Sequence, residues 1–288
     1  MNLSHKTGKL YIVPTPIGNL NDITKRALEI LKKVDLIIAE DTRHTKILLR
    51  NYNIHNNLTC LHKYNENKKT KNIIKYIQTK KHVALVSNAG TPIINDPGFY
   101  LLKQCILFKN IEIIPIPGAC AIITALIASG LPTNRFCYEG FLPSNKSARK
   151  KILELLKNET RTMIFFESPN RLTSTLIDIK NIFGENRNIV IAKELTKIWE
   201  LIQRLPVLQM LKWISNNNNI LKGEFIILIQ GCEKPNKQDI KNKIFNTFNI
   251  LKKVLNEKEA ALYTTKIHAV KKNYLYEFLF KKNMNNLI

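Results

Sequence analysis

Short apolar runs that recur at spacings too long for hairpins constrain this chain more than any other feature. Residues 10–13, 36–39 and 83–86 are unbroken in hydrophobicity, and 58–61 and 111–114 are each interrupted once, by Thr59 and Glu112. Between them lie segments with helical periodicity, at about 22–33, 42–50, 69–78 and 98–108. In the first of these Ile23, Ala27, Ile30 and Leu31 share one face, and Asn21 or Asp22 is placed to cap it. A strand apolar on both sides is buried on both faces. Helices threaded between such strands build a parallel sheet of βα units. The expectation for residues 1–118 is therefore an α/β domain.

The next segment is less regular. Residues 136–138, 162–166, 189–192 and 225–229 read as strands. Residues 148–156, 172–182 and the stretch from Pro206 to about Ile214 read as helices. This predicts a second α/β domain, with a mixed sheet, over 119–233. A polar segment with Pro235 follows, and 234–288 reads as a small helical module with a helix start at Asn256-Glu257-Lys258-Glu259 and a turn at His268-Ala269-Val270-Lys271.

Charge needs discounting before it argues for a partner. The net charge is +23, but Lys outnumbers Arg 36 to 9, and Ile (40) and Asn (33) are equally enriched. A bias shared by buried and exposed residue types is partly compositional drift. The densest excess is in 234–288, with 12 Lys against 4 acidic residues, which suits a polyanion. Five cysteines without a CxxC pair point to a reducing cytoplasm rather than a disulfide framework. Six scattered histidines without HExxH predict no metal site. The polar start gives no signal peptide. The uncharged stretch 113–134 is interrupted by Pro115, Pro117, Gly118, Gly130 and Pro132, so it reads as a strand and a short core helix rather than a membrane span.

Ligands collect beyond the carboxyl ends of parallel strands. Three loops there are built from small residues: Pro14-Thr15-Pro16-Ile17-Gly18-Asn19, the segment from Ser87 to Gly98, and Pro115-Ile116-Pro117-Gly118-Ala119-Cys120. None carries GxGxxG or GxxxxGK[ST], so a dinucleotide or P-loop nucleotide is not expected. Within the second loop, Asp96 before Pro97 also suits a helix N-cap.

The second loop, Ser87-x-Ala89-Gly90-Thr91-Pro92-x-Ile94-Asn95-Asp96-Pro97-Gly98, matches a signature of the small-subunit rRNA methyltransferase I family, within the tetrapyrrole methylase superfamily. Tyr11 to Leu20, Ala39-Glu40-Asp41-Thr42-Arg43, Pro117-Gly118, Phe165 to Arg171, Lys193-Glu194-Leu195-Thr196-Lys197, Lys222-Gly223-Glu224 and Ile267 to Asn273 are also similar, so the resemblance runs from about residue 8 to 280.

The resemblance implies two α/β domains of the tetrapyrrole methylase type, a cleft between them for S-adenosyl-L-methionine, no metal, and a homodimer. It implies 2′-O-methylation of a cytidine ribose in small-subunit (16S-type) rRNA, with the small ribosomal subunit as partner. Where tetrapyrrole-acting relatives carry GxGPG in the first loop, this chain has Thr15-Pro16-Ile17-Gly18, which favours RNA over a porphyrin precursor. The alternatives are a tetrapyrrole-precursor methylase and a non-catalytic RNA-binding assembly factor. The expected cofactor residues are Pro14, Ile17, Gly18, Ser87, Ala89, Gly90, Thr91, Ile94, Asp96, Gly118, Ala119 and Phe166.

Methyl transfer is an in-line displacement from a good leaving group, so alignment is the main task. A ribose hydroxyl is a weak acid, and a base or a stabilising charge would help. Glu40, Asp41, Arg43, Glu167, Asn170, Arg171, Glu194 and Lys197 all follow apolar strands. The catalytic candidates are Asp41 or Glu167 near the hydroxyl, and Arg43 or Arg171 on a phosphate; the competing reading is a structural ion-pair network. RNA contacts are expected from Lys252, Lys253, Lys271 and Lys272, with Lys281 and Lys282 beyond them.

Overall fold

A computed structural model describes residues 7–233, 237–271 and 275. The chain divides into two compact units, residues 1–231 and 232–288. The first holds two α/β domains, each around its own five-stranded sheet.

The first sheet contains β1 (Gly8–Ile12), β2 (Leu36–Ala39), β3 (Leu58–Cys60), β4 (His82–Val86) and β5 (Ile111–Pro115), in the order β3-β2-β4-β1-β5. Every neighbouring pair is parallel. The connections are α1 (Lys25–Lys33), α2 (Thr42–Asn51), α3 (Glu66–Gln78) and α4 (Phe99–Cys105). Alternate residues of each strand feed opposite cores. Leu10, Ile38, Val83 and Leu85 face α3 and α4, while Val13, Ile37, Ala84 and Val86 face α1 and α2. Burial of this kind contributes about 1.5–3 kcal/mol for each large apolar side chain, and it explains why both strand faces are apolar.

The second sheet contains β6 (Phe136–Phe141), β7 (Thr162–Glu167), β8 (Asn188–Lys193), β9 (Leu201–Pro206) and β10 (Phe225–Ile229), in the order β6-β7-β10-β8-β9. The β6–β7 pair is parallel and the other three are antiparallel, so the sheet is mixed. Its helices are α5 (Ala121–Ser129), α6 (Lys146–Leu156), α7 (Pro169–Phe183) and α8 (Val207–Asn216). The Arg149–Asp178 ion pair (2.7 Å), with both side chains almost fully buried, ties α6 to α7. The second unit contains α9 (Lys237–Leu251) and α10 (Glu257–His268), packed through Ile244, Phe248, Ala260 and Ala261. Asn256 caps α10 by accepting from the Glu259 amide, and Ala269 ends it in a left-handed conformation.

Two local expectations are corrected, and one strand is added. The first helix is capped by Thr24, whose hydroxyl accepts from the Ala27 amide; residues 20–22 form a separate 3-10 turn capped by Asn19. Asp96 does not cap α4. That helix starts after Gly98, at φ +121°, and the Glu66 carboxylate of α3 accepts from the Gly98 and Leu101 amides instead. A side chain distant in sequence has replaced a local cap. Finally, β9 escaped notice because Gln203 and Arg204 interrupt its apolar pattern, as an edge strand permits. Among the described residues no helix is long and apolar enough to cross a membrane, and residues 113–134 contribute to β5 and α5.

Candidate cofactor cleft

Strand order brings the three small-residue loops together, because β1 lies between β4 and β5. Thr15 and Gly90 exchange two backbone hydrogen bonds, Thr15 N to Gly90 O at 2.9 Å and Gly90 N to Thr15 O at 3.0 Å. The Thr15 hydroxyl donates to Ser87 O, and the Ser87 hydroxyl is within bonding distance of Ala89 O and Gly90 O. Thr91 Oγ1 donates to Ala119 O at 2.9 Å. Gly118 faces Pro14 so closely that a Cβ there would lie 2.6 Å from the proline Cβ. Gly90 takes φ +75°, and Ile93 and Asn95 take φ +77° and +68°. Positive φ at a β-branched residue is costly and marks a loop held by its surroundings.

The opposite wall comes from the second sheet. Because β10 is antiparallel to β7 and β8, its start lies beside their ends, with Phe225 paired to both Glu167 and Lys193. The two walls enclose a cleft of about 430 Å³, within the range of small-molecule sites. Ile17, Ala89, Gly90, Thr91, Ile94, Asp96 and Phe166 line it, as do Asn95, Cys120, Phe141, Glu194, Leu195, Gly223 and Glu224. Pro14, Gly18, Ser87, Gly118 and Ala119 are not in the lining; their contacts set the spacing of the loops. Of the last group, Asn95 and Cys120 belong to the small-residue loops and Glu194 follows an apolar strand, whereas Phe141 carries no such sequence signal. Lys193 to Lys197 and Lys222 to Glu224 had been noticed as motifs, but which strand ends meet depends on the antiparallel return of β10.

Acidic groups dominate the polar part of the cleft. Burial and the nearby Glu40 carboxylate raise Asp96 to about 6, against a partly offsetting bond from Ser87. Burial pushes Glu194 up, but bonds from Lys197 and the Glu224 amide outweigh it and hold the carboxyl below its ordinary range. Lys197 Nζ bridges Glu194 (2.9 Å) and Glu224 (3.0 Å). These features suit S-adenosylmethionine, which is cationic and carries no phosphate: apolar walls for a planar base, small residues at the loops, and carboxylates facing positive charge.

The catalytic candidates separate into two places. Glu167 lines the cleft, but its oxygens accept from Thr175 Oγ1 (2.7 Å) and the Ser168 amide (2.8 Å) and pair with Arg171. Arg171 also donates to Leu142 O. Asp41 and Arg43 sit at the start of α2, outside the cleft lining. Asp41 accepts from the Arg43 amide and guanidinium, which hold its carboxyl at about 2. Asn88 connects this corner to the signature loop, receiving the Asp41 amide and donating to Glu40 Oε2 (3.0 Å). In the C-terminal unit Lys252 pairs with Glu257, and Lys253 and Lys271 are exposed. Lys272, Lys281 and Lys282 lie outside the described residues. Among the described residues no three side chains converge as metal ligands.

A family model described as Tetrapyrrole (Corrin/Porphyrin) Methylases matches residues 9–208. A protein of Buchnera aphidicola subsp. Acyrthosiphon pisum (strain APS) named "Ribosomal RNA small subunit methyltransferase I" is 53% identical over 275 residues, covering 96% of this chain and 97% of that one. A protein of the same name from Buchnera aphidicola subsp. Schizaphis graminum (strain Sg) is 51% identical, covering 98% of this chain and 99% of that one. The crystal structure of a uroporphyrin-III C-methyl transferase from Thermus thermophilus, complexed with S-adenyl homocysteine, is similar in fold, with a TM-score of 0.53 at 13% identity. It covers 77% of this chain and 97% of that one.

Proposed function

The chain belongs to the tetrapyrrole methylase family, and we propose that it is the kind of member that uses S-adenosylmethionine to methylate the ribose 2′-oxygen of a cytidine in small-subunit rRNA. The observation that carries the proposal is identity of 53% over nearly the whole of a relative named for small-subunit rRNA methylation. The cleft supports the cofactor half of it. The cytoplasmic location and the homodimer rest on the family resemblance.

When bound, the cofactor supplies a methyl group on a cationic sulfonium that leaves readily. Ile17, Ile94, Phe166 and Leu195 would provide apolar walls that exclude water from the bound group. Ala89 and Gly90 leave the backbone approachable, and Asp96 offers a carboxylate to the positive charge. Asp41, held at about 2 by Arg43, is a fixed negative charge and a poor proton acceptor. Glu167 is already occupied by three partners. In this reading Asp41 and Arg43 position the RNA, Glu167 and Arg171 brace the cleft wall, and acceleration comes mainly from alignment.

Small ribosomal subunits from a strain lacking this enzyme, mixed with the protein and methyl-labelled cofactor, should acquire label on a cytidine ribose. A porphyrin precursor in a parallel reaction should acquire none. Label on the precursor alone would sink the RNA assignment. Cofactor binding with no transfer to either would favour an assembly factor.

A further inference from the structure

The motifs Lys193 to Lys197 and Lys222 to Glu224 lie far apart in sequence and meet at the cleft. The first begins at the end of β8 and the second leads into β10. Each brings a carboxylate to the cleft lining, Glu194 and Glu224. The Glu194 amide donates to Glu224 O at 3.0 Å, and Glu194 Oε1 accepts from the Glu224 amide at 2.8 Å. Gly223 makes room for this arrangement, since a Cβ there would lie 2.5 Å from Glu194 Cδ and Oε1.

Two carboxylates held together repel unless a cation lies between them. Lys197 Nζ is that cation, 2.9 Å from Glu194 Oε1 and 3.0 Å from Glu224 Oε2. Burial opposes its charge, but the bonds to the two carboxylates prevail and hold it above the ordinary lysine value. Lys193 adds a smaller attraction to Glu194. The Glu194 side chain is 17% exposed and that of Glu224 is 76% exposed, so the pair with Glu194 is the less screened of the two.

The same lysine reaches the opposite wall. Its stem lies on Gly18 of the first loop, where a Cβ would come within 2.5 Å of Lys197 Cγ. Beside it the Asn19 amide donates to Thr196 Oγ1 at 3.1 Å. Ile17 and Leu195, both in the cleft lining, share one apolar cluster. Glu194 and Thr196 are left-handed, at φ +48° and +66°, a conformation that a β-branched residue keeps only under constraint. The backbone is bent so that the Lys197 stem meets the first domain while its ammonium sits between two carboxylates of the second.

We infer that Lys197 is a positioning residue for cofactor binding: through Glu194 and Gly18 it sets the gap between the first loop and the strand ends that face it. The inference rests on the cofactor part of the function proposed above. Lys197 is not in the cleft lining, so it acts through its neighbours. Without the ammonium the two carboxylates repel and separate. Gly223 packs on the Glu194 carboxyl, so the start of β10 shifts with it and the cleft loses its fit to the cofactor.

Lys197→Met keeps the stem and removes the charge. It should raise Kd for S-adenosylhomocysteine in calorimetry, and KM for S-adenosylmethionine, by about 3- to 30-fold. KM for small ribosomal subunits should not change. A variant that merely folded less completely would instead show a lower kcat with Kd and both KM values intact. Adding Glu194→Gln to Lys197→Met removes the repulsion, so the double variant should recover part of the affinity that the single variant loses. Wild-type Kd in Lys197→Met overturns the inference, as does a double variant that binds no better than the single one. Wild-type protein that binds no S-adenosylhomocysteine would overturn the cofactor reading itself, whereas normal binding by both wild type and Lys197→Met would remove the role of Lys197 alone.

Discussion

Asp96 lies under two influences that both favour its protonated form, burial in the cleft wall and the Glu40 carboxylate. Its folded pKa, about 6, exceeds the ordinary 3.8, so the native state holds this proton more tightly than the unfolded chain. Stability therefore falls as pH rises between these values, and the penalty is complete above the folded pKa. Asp96→Asn should raise the thermal midpoint near about pH 7, with the gain vanishing near about pH 4; melting curves across that range check it. The same variant should bind S-adenosylmethionine more weakly at about pH 7, because a carboxylate attracts a sulfonium and an amide does not. Glu167 is a buried carboxylate with a full set of partners. Glu167→Ala leaves Arg171 without its counter-ion and should cost about 3–5 kcal/mol in denaturant unfolding. Wild-type stability in that variant would show that the pair does not brace the wall. From the sequence, Glu167 and Asp41 were equivalent acids after apolar strands. Their burial and partners distinguish them, and both depend on residues far along the chain or on the exact turn of a helix.

At the scale of elements, the cleft floor is three loops cross-linked by Thr15, Ser87, Gly90 and Thr91. The glycines here act through contact distance. Gly118→Ala sets a Cβ against the rigid Pro14 ring, so one loop must move. A stability loss of about 1–3 kcal/mol is expected from the overpacking, together with weaker cofactor binding in calorimetry. Unchanged affinity would mean that this wall does not shape the site. These loops were legible because small residues and turn formers follow predominantly apolar strands. The cap of α4 was not. Asp96-Pro97 satisfies the local rule, yet Glu66 reaches the Gly98 and Leu101 amides from another helix and leaves Asp96 facing the cleft. Strand β9 was missed for a related reason, since an edge strand has one open side and tolerates Gln203 and Arg204.

For the whole molecule, the two compact units suggest a division of labour. A chain ending at residue 233 should retain cofactor affinity and lose affinity for small ribosomal subunits. Its binding should also depend less on salt, since fewer phosphates are neutralised. Equal subunit affinity and equal salt slope for the two forms would remove the C-terminal unit from RNA binding. The sequence by itself determined the parallel sheet, the mixed second sheet, the three cofactor-type loops and the family resemblance. Each is encoded locally, as a run of apolar residues, a periodicity or a turn, and survives without knowledge of neighbours. Tertiary structure decided which wall faces those loops. The antiparallel return of β10 brings Gly223 and Glu224 beside Glu194 and completes the cleft. It also decided which carboxylate is enclosed by partners and which is buried beside another carboxylate. Pairing partners, burial and charge environment are properties of residues distant in sequence, and no local pattern carries them.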